Sequence, residues 1–473
     1  MLKAKNLLIL SDTSNLTSLM KKIFISALCL ITSFYSFSQK IINRDPQIEV
    51  LLKQISSDSL KKYDEKLVSF GTRSTLSTTT DAKRGIGASR LWVLSKFKEF
   101  AKQSEGRMTA VLDTFTLQPD GRRIDKAIAM ANVMATLKGT DHKDDRIFMV
   151  SGHIDSRVTN VMNRESDAPG ANDDGSGTVA VMELARVMAK SKFPATVIFV
   201  VVSGEEQGLL GANYLAEKAL KENWNLEALL NNDIMGSNNS NETNIIDNTR
   251  LRVFSEGLPA FEMDKKVGAI RQYGVENDGK SRQLARYVKE TGERYVDNLE
   301  VVMIYRNDRF LRGGDHTPFV TKGFTAVRMS EMNENFLHQH QDLKTENGVE
   351  YGDLPKFMDF EYLRKNTCVN LATLANLAKS PSMPQDVVLD VRGLGNSTNL
   401  NWKAPKSGKV KGYYVMMRET AMPYWQKKFF TSELKISLPY SKDNYFFAVQ
   451  SVSEDGNESL PVLPRVGLRN AGE

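Results

Sequence analysis

Between residues 131 and 331 the chain alternates unbroken apolar runs with helical periodicities. The segments "ANVMATLKG" (131–139), "RIFMVSGH" (146–153), "ATVIFVVVS" (195–203), "LEALLNNDIMG" (226–236) and "FTAVRMSE" (324–331) read as strands. Apolar runs without polar interruption belong to strands buried on both faces, as in a sheet covered by helices. Among the intervening stretches, "GTVAVMELARVMAK" (177–190) places Val181, Leu184, Ala185 and Met188 at i, i+3, i+4 and i+7, the stripe of an amphipathic helix. Strand and helix in alternation predict an α/β fold with a mixed, mainly parallel sheet flanked by helices. Upstream, residues 45–125 mix helical patterns such as "ASRLWVLSKFKEFAKQ" (88–103) with polar loops such as "RSTLSTTTDAKRG" (73–85).

The pattern changes at both ends. Met20-Lys21-Lys22 precedes an apolar stretch, Ile23 to Tyr35, and Ser36-Phe37-Ser38 supplies small residues at cleavage-site spacing. This reads as an export signal over residues 1–38, with the natural start at Met20. The competing reading, a membrane anchor, needs about 20 apolar residues. With cleavage the mature chain has no integral membrane segment and is secreted or periplasmic. Residues 39–380 then form the α/β domain. From Pro381, after the linker "SPSMP", short alternating segments separated by turn residues predict an all-β sandwich over residues 381–473. Trp402 in "LNWKAP", Tyr413 and Tyr414 in "GYYVMMRE", and Tyr445 give this part a resemblance to fibronectin type III domains. That resemblance implies a module for protein or polysaccharide contact.

Composition narrows the function classes. A chain of 473 residues exceeds one ordinary core, and 41% hydrophobic with 25% charged residues is globular. The net charge of +6 includes four lysines and one aspartate of the signal, so cleavage halves it, and no basic block stands out. Nucleic acid is not indicated. Cys368, the one cysteine left after cleavage, sits in a helical pattern and reads as a buried small hydrophobe.

The chemistry lies in the polar residues that follow the strands, because ligands of open α/β sheets bind beyond the strands' carboxyl ends. His153 and Asp155 follow one strand, Glu205 and Glu206 the next, and Asp233 a third. "GANDDGSG" (170–177) adds Asp173 and Asp174, and "GGDHTPF" (313–319) adds Asp315 and His316. Imidazoles and carboxylates without thiolate suit zinc or another borderline divalent metal. A two-metal site needs about five ligands with one shared carboxylate, and His153, Asp173, Glu206, Asp233 and His316 make five.

Taken in order, "GHIDS", "NDDGSG", "SGEEQGLLGA", "NNDIMG" and "GGDHTPF" resemble the secreted zinc aminopeptidase family, whose relatives include glutamate carboxypeptidases, the transferrin-receptor ectodomain and glutaminyl cyclases. The likeness spans roughly residues 130–345. It implies two Zn2+ per chain, one on His153 and Asp233, the other on Glu206 and His316, with Asp173 bridging. It also implies Glu205 as general base toward a metal-bridged water, N-terminal residues of peptides or proteins as substrate, and a cis peptide at Asp173-Asp174. Which of the two adjacent glutamates plays which part comes from the resemblance, not from spacing. Asp155, two residues past His153, is placed to accept the other ring N–H and fix the tautomer; Asp315 is a second candidate for that service toward His316. Asp174 is a candidate cap for the helix near Gly177.

The remaining candidates are weaker. His142 is a polar turn residue. His338 and His340 in "HQHQD" depart from the family's "HT" followed by Asp and are not assigned as ligands. Tyr305 and Arg306 are candidate substrate contacts, and the loops within 236–315 carry specificity. "GVENDGKS" (274–281) matches the phosphate-loop pattern, yet Glu276 and Asp278 would place negative charge where phosphate sits. "DGSGT" is not a nucleophile elbow. The alternatives left open are a carboxypeptidase or dipeptidase of the same family, a single-zinc glutaminyl cyclase and a non-catalytic binding protein.

Overall fold

In a computed structural model, which describes residues 44–466, the apolar runs become the centre of one eight-stranded sheet. The signal region, Met20 and Cys29 lie outside the described residues. The strands are β1 (Met108–Leu117), β2 (Ile128–Leu137), β3 (Arg146–His153), β4 (Thr196–Val202), β5 (Asn225–Asn232), β6 (Arg250–Phe254), β7 (Glu300–Ile304) and β8 (Ala326–Glu331). Their order across the sheet is β1-β2-β4-β3-β5-β8-β6-β7. The centre, from β4 through β3 and β5 to β8, is parallel; β1, β2 and the β6–β8 contact are antiparallel. The sheet is thus mixed, and its parallel centre coincides with the unbroken apolar runs.

Burial on two faces explains those runs. On β3, Phe148 and Val150 enter the core under the helices Ser57–Val68, Gly85–Ala101, Gly177–Met188 and Phe360–Lys379, while Met149 enters the opposite core against Leu215 and Phe319. On β4, Val197, Phe199 and Val201 take the first side and Ile198, Val200 and Val202 the second. Each such side chain contributes about 1.5–3 kcal/mol of transfer free energy, and a polar residue at either phase would forfeit it. The carboxyl ends of β3, β4 and β5 consequently open on one rim of the sheet.

Two smaller sheets follow. One orders β15 (Lys435–Leu438), β12 (Thr398–Lys403), β11 (Gln385–Leu389) and β17 (Arg465–Val466); the other orders β14 (Lys427–Thr431), β13 (Gly412–Glu419) and β16 (Tyr445–Val452). A short hairpin of β9 (Lys344–Glu346) and β10 (Val349–Tyr351) precedes them. Trp402 and Leu400 of the first sheet share one core with Tyr413, Val415 and Val449 of the second, so the pair is a sandwich. Trp402 meets Tyr413 edge to face at 5.3 Å.

The segment read as a linker is a buried junction. Ser380, Pro381 and Ser382 are buried, and Arg146 donates to the carbonyls of Ser380 (2.7 Å) and Pro381 (3.1 Å). Asp278 joins the sandwich to the α/β domain: it pairs with Arg286 of the helix Lys280–Tyr295 (2.7 Å) and with Arg418 of β13 (2.7 Å), all three being almost fully buried. This assigns the letters of "GVENDGKS" a structural use. Gly279 presses on Gly257, whose carbonyl oxygen would stand 1.7 Å from an added Cβ. Removing one partner of a buried ion pair typically costs about 3–5 kcal/mol because the other charge stays buried. Asp278→Ala, which strands two guanidiniums, should lower the unfolding free energy measured by urea titration by that amount, whereas Glu276→Ala, in the same loop and outside these pairs, should leave it within about 0.5 kcal/mol.

Candidate metal centre and active site

His153 is the last residue of β3, Glu205 and Glu206 follow β4, and Asp233 follows β5, so three adjacent parallel strands deliver their side chains to the same rim. Asp173 arrives from the turn Ala171–Ser176, where the Asp173-Asp174 peptide is cis. Two donor groups result: His153, Asp173 and Asp233 form one, and Asp173, Glu206 and His340 the other, the candidate ligand atoms of each lying within 4.8 Å of one another. Asp173 belongs to both. Its Oδ1 stands 3.3 Å from His153 Nε2, and its Oδ2 stands 3.0 Å from His340 Nε2, which is also 3.0 Å from Glu206 Oε1.

The donors fit a divalent metal. His153 Nδ1 donates to the backbone carbonyl of Asp155 at 3.0 Å; a carbonyl only accepts, so in the neutral ring that a metal requires Nε2 presents its lone pair to the cluster. That Nε2 and Glu206 Oε1 are buried and make no hydrogen bond. Buried polar atoms left unmatched cost about 1–3 kcal/mol each, and one such atom in each of two donor groups that share Asp173 is an arrangement cations satisfy.

The surrounding scaffold aims these side chains. Asp155 is fully buried; its carboxylate accepts from the backbone N–H of Gly204 (2.9 Å) and Glu206 (3.0 Å) and from the Thr75 hydroxyl (2.9 Å). This corrects one expectation: the Asp155 carboxylate lies 3.6 Å from His153 Nδ1, and the residue fixes the tautomer through its carbonyl while its side chain holds the glutamate turn. Asp174 does cap, since Gly177 N donates to it at 2.8 Å, but it also accepts from His153 N at 2.9 Å. Asp353 accepts from Asn172 N (2.8 Å) and Asp173 N (2.7 Å) and fixes the aspartate shared by the two donor groups. Arg328 reaches Asp233 Oδ1 at 2.9 Å and Asp308 at 2.8 Å.

The assignment of His316 is corrected. Its Nε2 donates to the carbonyl of Asn307 at 2.7 Å, its Nδ1 has no partner, and it joins neither donor group. Burial pushes its pKa down to about 4, leaving a neutral ring that pins the loop after β7. Asp315 makes no bond to it; that carboxyl is buried without a partner and burial raises it to about 7. His340, left unassigned in the sequence, stands in the second donor group instead. Its φ of +53° is left-handed, a conformation costing an L residue about 1–2 kcal/mol and retained where surroundings demand it. Arg312 lies 3.0 Å from His340 Nδ1 and donates to it, and Nε2 stands between the two carboxylates. His338 instead stacks on Phe357 at 3.6 Å. Tyr305 bonds the carbonyl of Pro423 and Arg306 covers Phe310.

A cavity of about 270 Å³ opens over both groups, with Glu205 and Glu206 on its wall. Glu205 belongs to neither donor group. Burial pushes its carboxyl well above the ordinary range, and Asp233, Glu206 and Asp315 add to the effect over the opposing pull of His153.

Comparison with known proteins gives the same picture at the level of family. The family model described as Peptidase family M28 matches residues 132–357. A probable zinc metalloprotease of Leptosphaeria maculans is 44% identical over 424 residues, covering 89% of this chain and 98% of the relative. A probable zinc metalloprotease of Pyrenophora tritici-repentis is 42% identical, covering 89% and 88%. Among solved structures, the LapA aminopeptidase of Legionella pneumophila is similar with a TM-score of 0.50 at 20% identity, over 72% of this chain and 76% of that one; this likeness speaks to the fold.

Proposed function

The chain belongs to peptidase family M28 and is a zinc metallopeptidase, and from that premise we propose that it is an exported dizinc exopeptidase that trims peptides from their free amino end. The observation that carries the reading is a pair of donor groups sharing Asp173 beneath one cavity, with Glu205 beside them and uncommitted. Zinc held by His153, Asp173 and Asp233, and by Asp173, Glu206 and His340, would polarise the scissile carbonyl and acidify the attacking water. Glu205 takes a proton from that water as its oxygen attacks and returns it to the amine nitrogen as the C–N bond breaks. Asp155, holding the N–H groups of Gly204 and Glu206, keeps the two glutamates pointing apart.

A carboxypeptidase or dipeptidase is the second reading, favoured by the arginines at the cavity mouth. The deciding assay offers peptides with free and acetylated amino termini to the purified protein before and after treatment with a zinc chelator. Expected are about two zinc ions per chain, cleavage confined to free-amine peptides, loss of turnover on chelation and its return with zinc. Turnover that survives metal removal, or indifference to the amine, overturns the reading. Export through residues 1–38 is part of the proposal, and a mature amino terminus other than Gln39 would refute that cleavage site.

A further inference from the structure

Three guanidiniums face the same cavity without a carboxylate of the chain to neutralise them. Arg123, between β1 and β2, donates to the backbone carbonyl of Glu206 at 2.6 Å. Arg157, just past β3, donates to the carbonyls of Val158 (3.1 Å) and Thr159 (2.8 Å). Arg312, from the loop after β7, bonds His340. All three line the cavity, and among the described residues none forms an ion pair. Their neighbours differ: Arg309 pairs with Glu334 and Asp308, and Arg328 with Asp308 and Asp233.

Carbonyls orient a guanidinium but leave its charge uncompensated. Three such charges brought together from separate segments repel one another, with Arg123 and Arg312 exposed and Arg157 half-buried. Of the acids lining the cavity, Asp173, Glu206 and Asp233 are grouped on the metal positions, and Glu205 forms no ion pair with any of the three arginines. An imidazole that coordinates through Nε2 carries its hydrogen on Nδ1 and no longer accepts from Arg312, so loading the site adds a free guanidinium. What the arrangement recognises is an anion, and a planar one suits the guanidinium fork.

We infer that the cavity binds a carboxylate of the substrate on Arg123 and Arg157, with Arg312 as a third donor, so that short peptides with an acidic residue or a free carboxyl end beside the scissile bond are the preferred class. The inference rests on the peptidase reading of this site and names its substrates. The two sources of the carboxylate separate experimentally. Zinc-loaded full-length protein is assayed on peptides led by Glu against Gln, and on dipeptides with free against amidated carboxyl ends. A carboxylate held by charge-assisted bonds should favour one member of a pair by about ten- to a hundredfold in kcat/KM, expressed mainly in KM. The pair that shows it identifies the source. In Arg123→Gln and Arg157→Gln the ratio should fall toward one with zinc content unchanged, and Arg157→Lys should restore part of it. Equal rates within both pairs for the parent protein, or variants that lose both members alike, would overturn the inference while leaving the peptidase reading intact. Should no peptide be cleaved at all, the peptidase reading fails, and calorimetry still decides the subsite: tighter binding of glutamate than glutamine, lost in the two variants, supports it, and equal binding refutes it.

Discussion

Glu205→Gln should lower kcat by about a thousandfold, within the 10²–10⁴ range of a general base, while KM stays within a few-fold and zinc content is unchanged. The amide keeps the shape and hydrogen-bonding reach of the carboxylate but cannot carry the proton from water to the leaving amine. Separation from the metal makes the expectation sharp: Glu205 lines the cavity but joins neither donor group. Glu206→Gln makes the contrast, since Glu206 stands in the group with Asp173 and His340; there zinc should be lost together with activity. Folding raises the Glu205 pKa, through burial first and through Asp233, Glu206 and Asp315 next. A carboxyl raised on folding favours the folded state at low pH, and that contribution is lost as pH rises above the unfolded value, so at neutral pH its charge is a cost. Metal-free Glu205→Gln should accordingly melt no lower than the metal-free parent. Full activity in the variant, measured on the same free-amine peptide, would remove Glu205 from its role; lost zinc would make it a ligand instead.

How much of this was legible in the sequence depended on how local each signal was. The apolar runs of β3, β4, β5 and β8 are visible because a strand covered on both faces is apolar at most positions, with its few polar residues buried beside partners. β1 was missed because it is an edge strand whose burial alternates, and its "MTAVLDTFTL" reads as polar and apolar in turn. β6 and β7, five residues each, are too short to stand out. In the site, His153, Asp173, Glu206 and Asp233 were legible because each ends a strand or opens a helix at the rim. Asp353 and Arg328 were not, since their partners lie far away in the chain: Asp353 serves Asn172 and Asp173, and Arg328 serves Asp233 and Asp308. An arginine within the apolar run of β8 was the available signal, because a buried guanidinium needs buried acids. Asp278 shows the converse: a motif letter that imitates a phosphate loop serves as an ion-pair centre at a domain junction.

The choice between the two histidines is where sequence pattern and geometry part, and substitution distinguishes them. His340→Ala should reduce zinc from about two ions per chain to about one and lower kcat/KM by at least a hundredfold, because among the described residues its Nε2 is the only imidazole donor grouped with Asp173 and Glu206. His316→Ala should retain both ions. That ring is buried, turned to the carbonyl of Asn307, and its Nδ1 faces no donor group. Losing it leaves a cavity and an unmatched carbonyl, worth about 1–3 kcal/mol of stability. It also unpins the loop that carries Arg309 and Arg312, so its kinetic effect should fall on KM. Metal analysis of the two variants after identical dialysis separates these outcomes without reference to turnover. A His316 variant holding one zinc beside a His340 variant holding two would return the ligand role to the residue in "GGDHTPF". The physical ground for expecting the opposite is positional: His316 Nε2 is engaged with the carbonyl of Asn307 and the ring stands in neither donor group, whereas His340 Nε2 lies 3.0 Å from carboxylate oxygens of both Asp173 and Glu206.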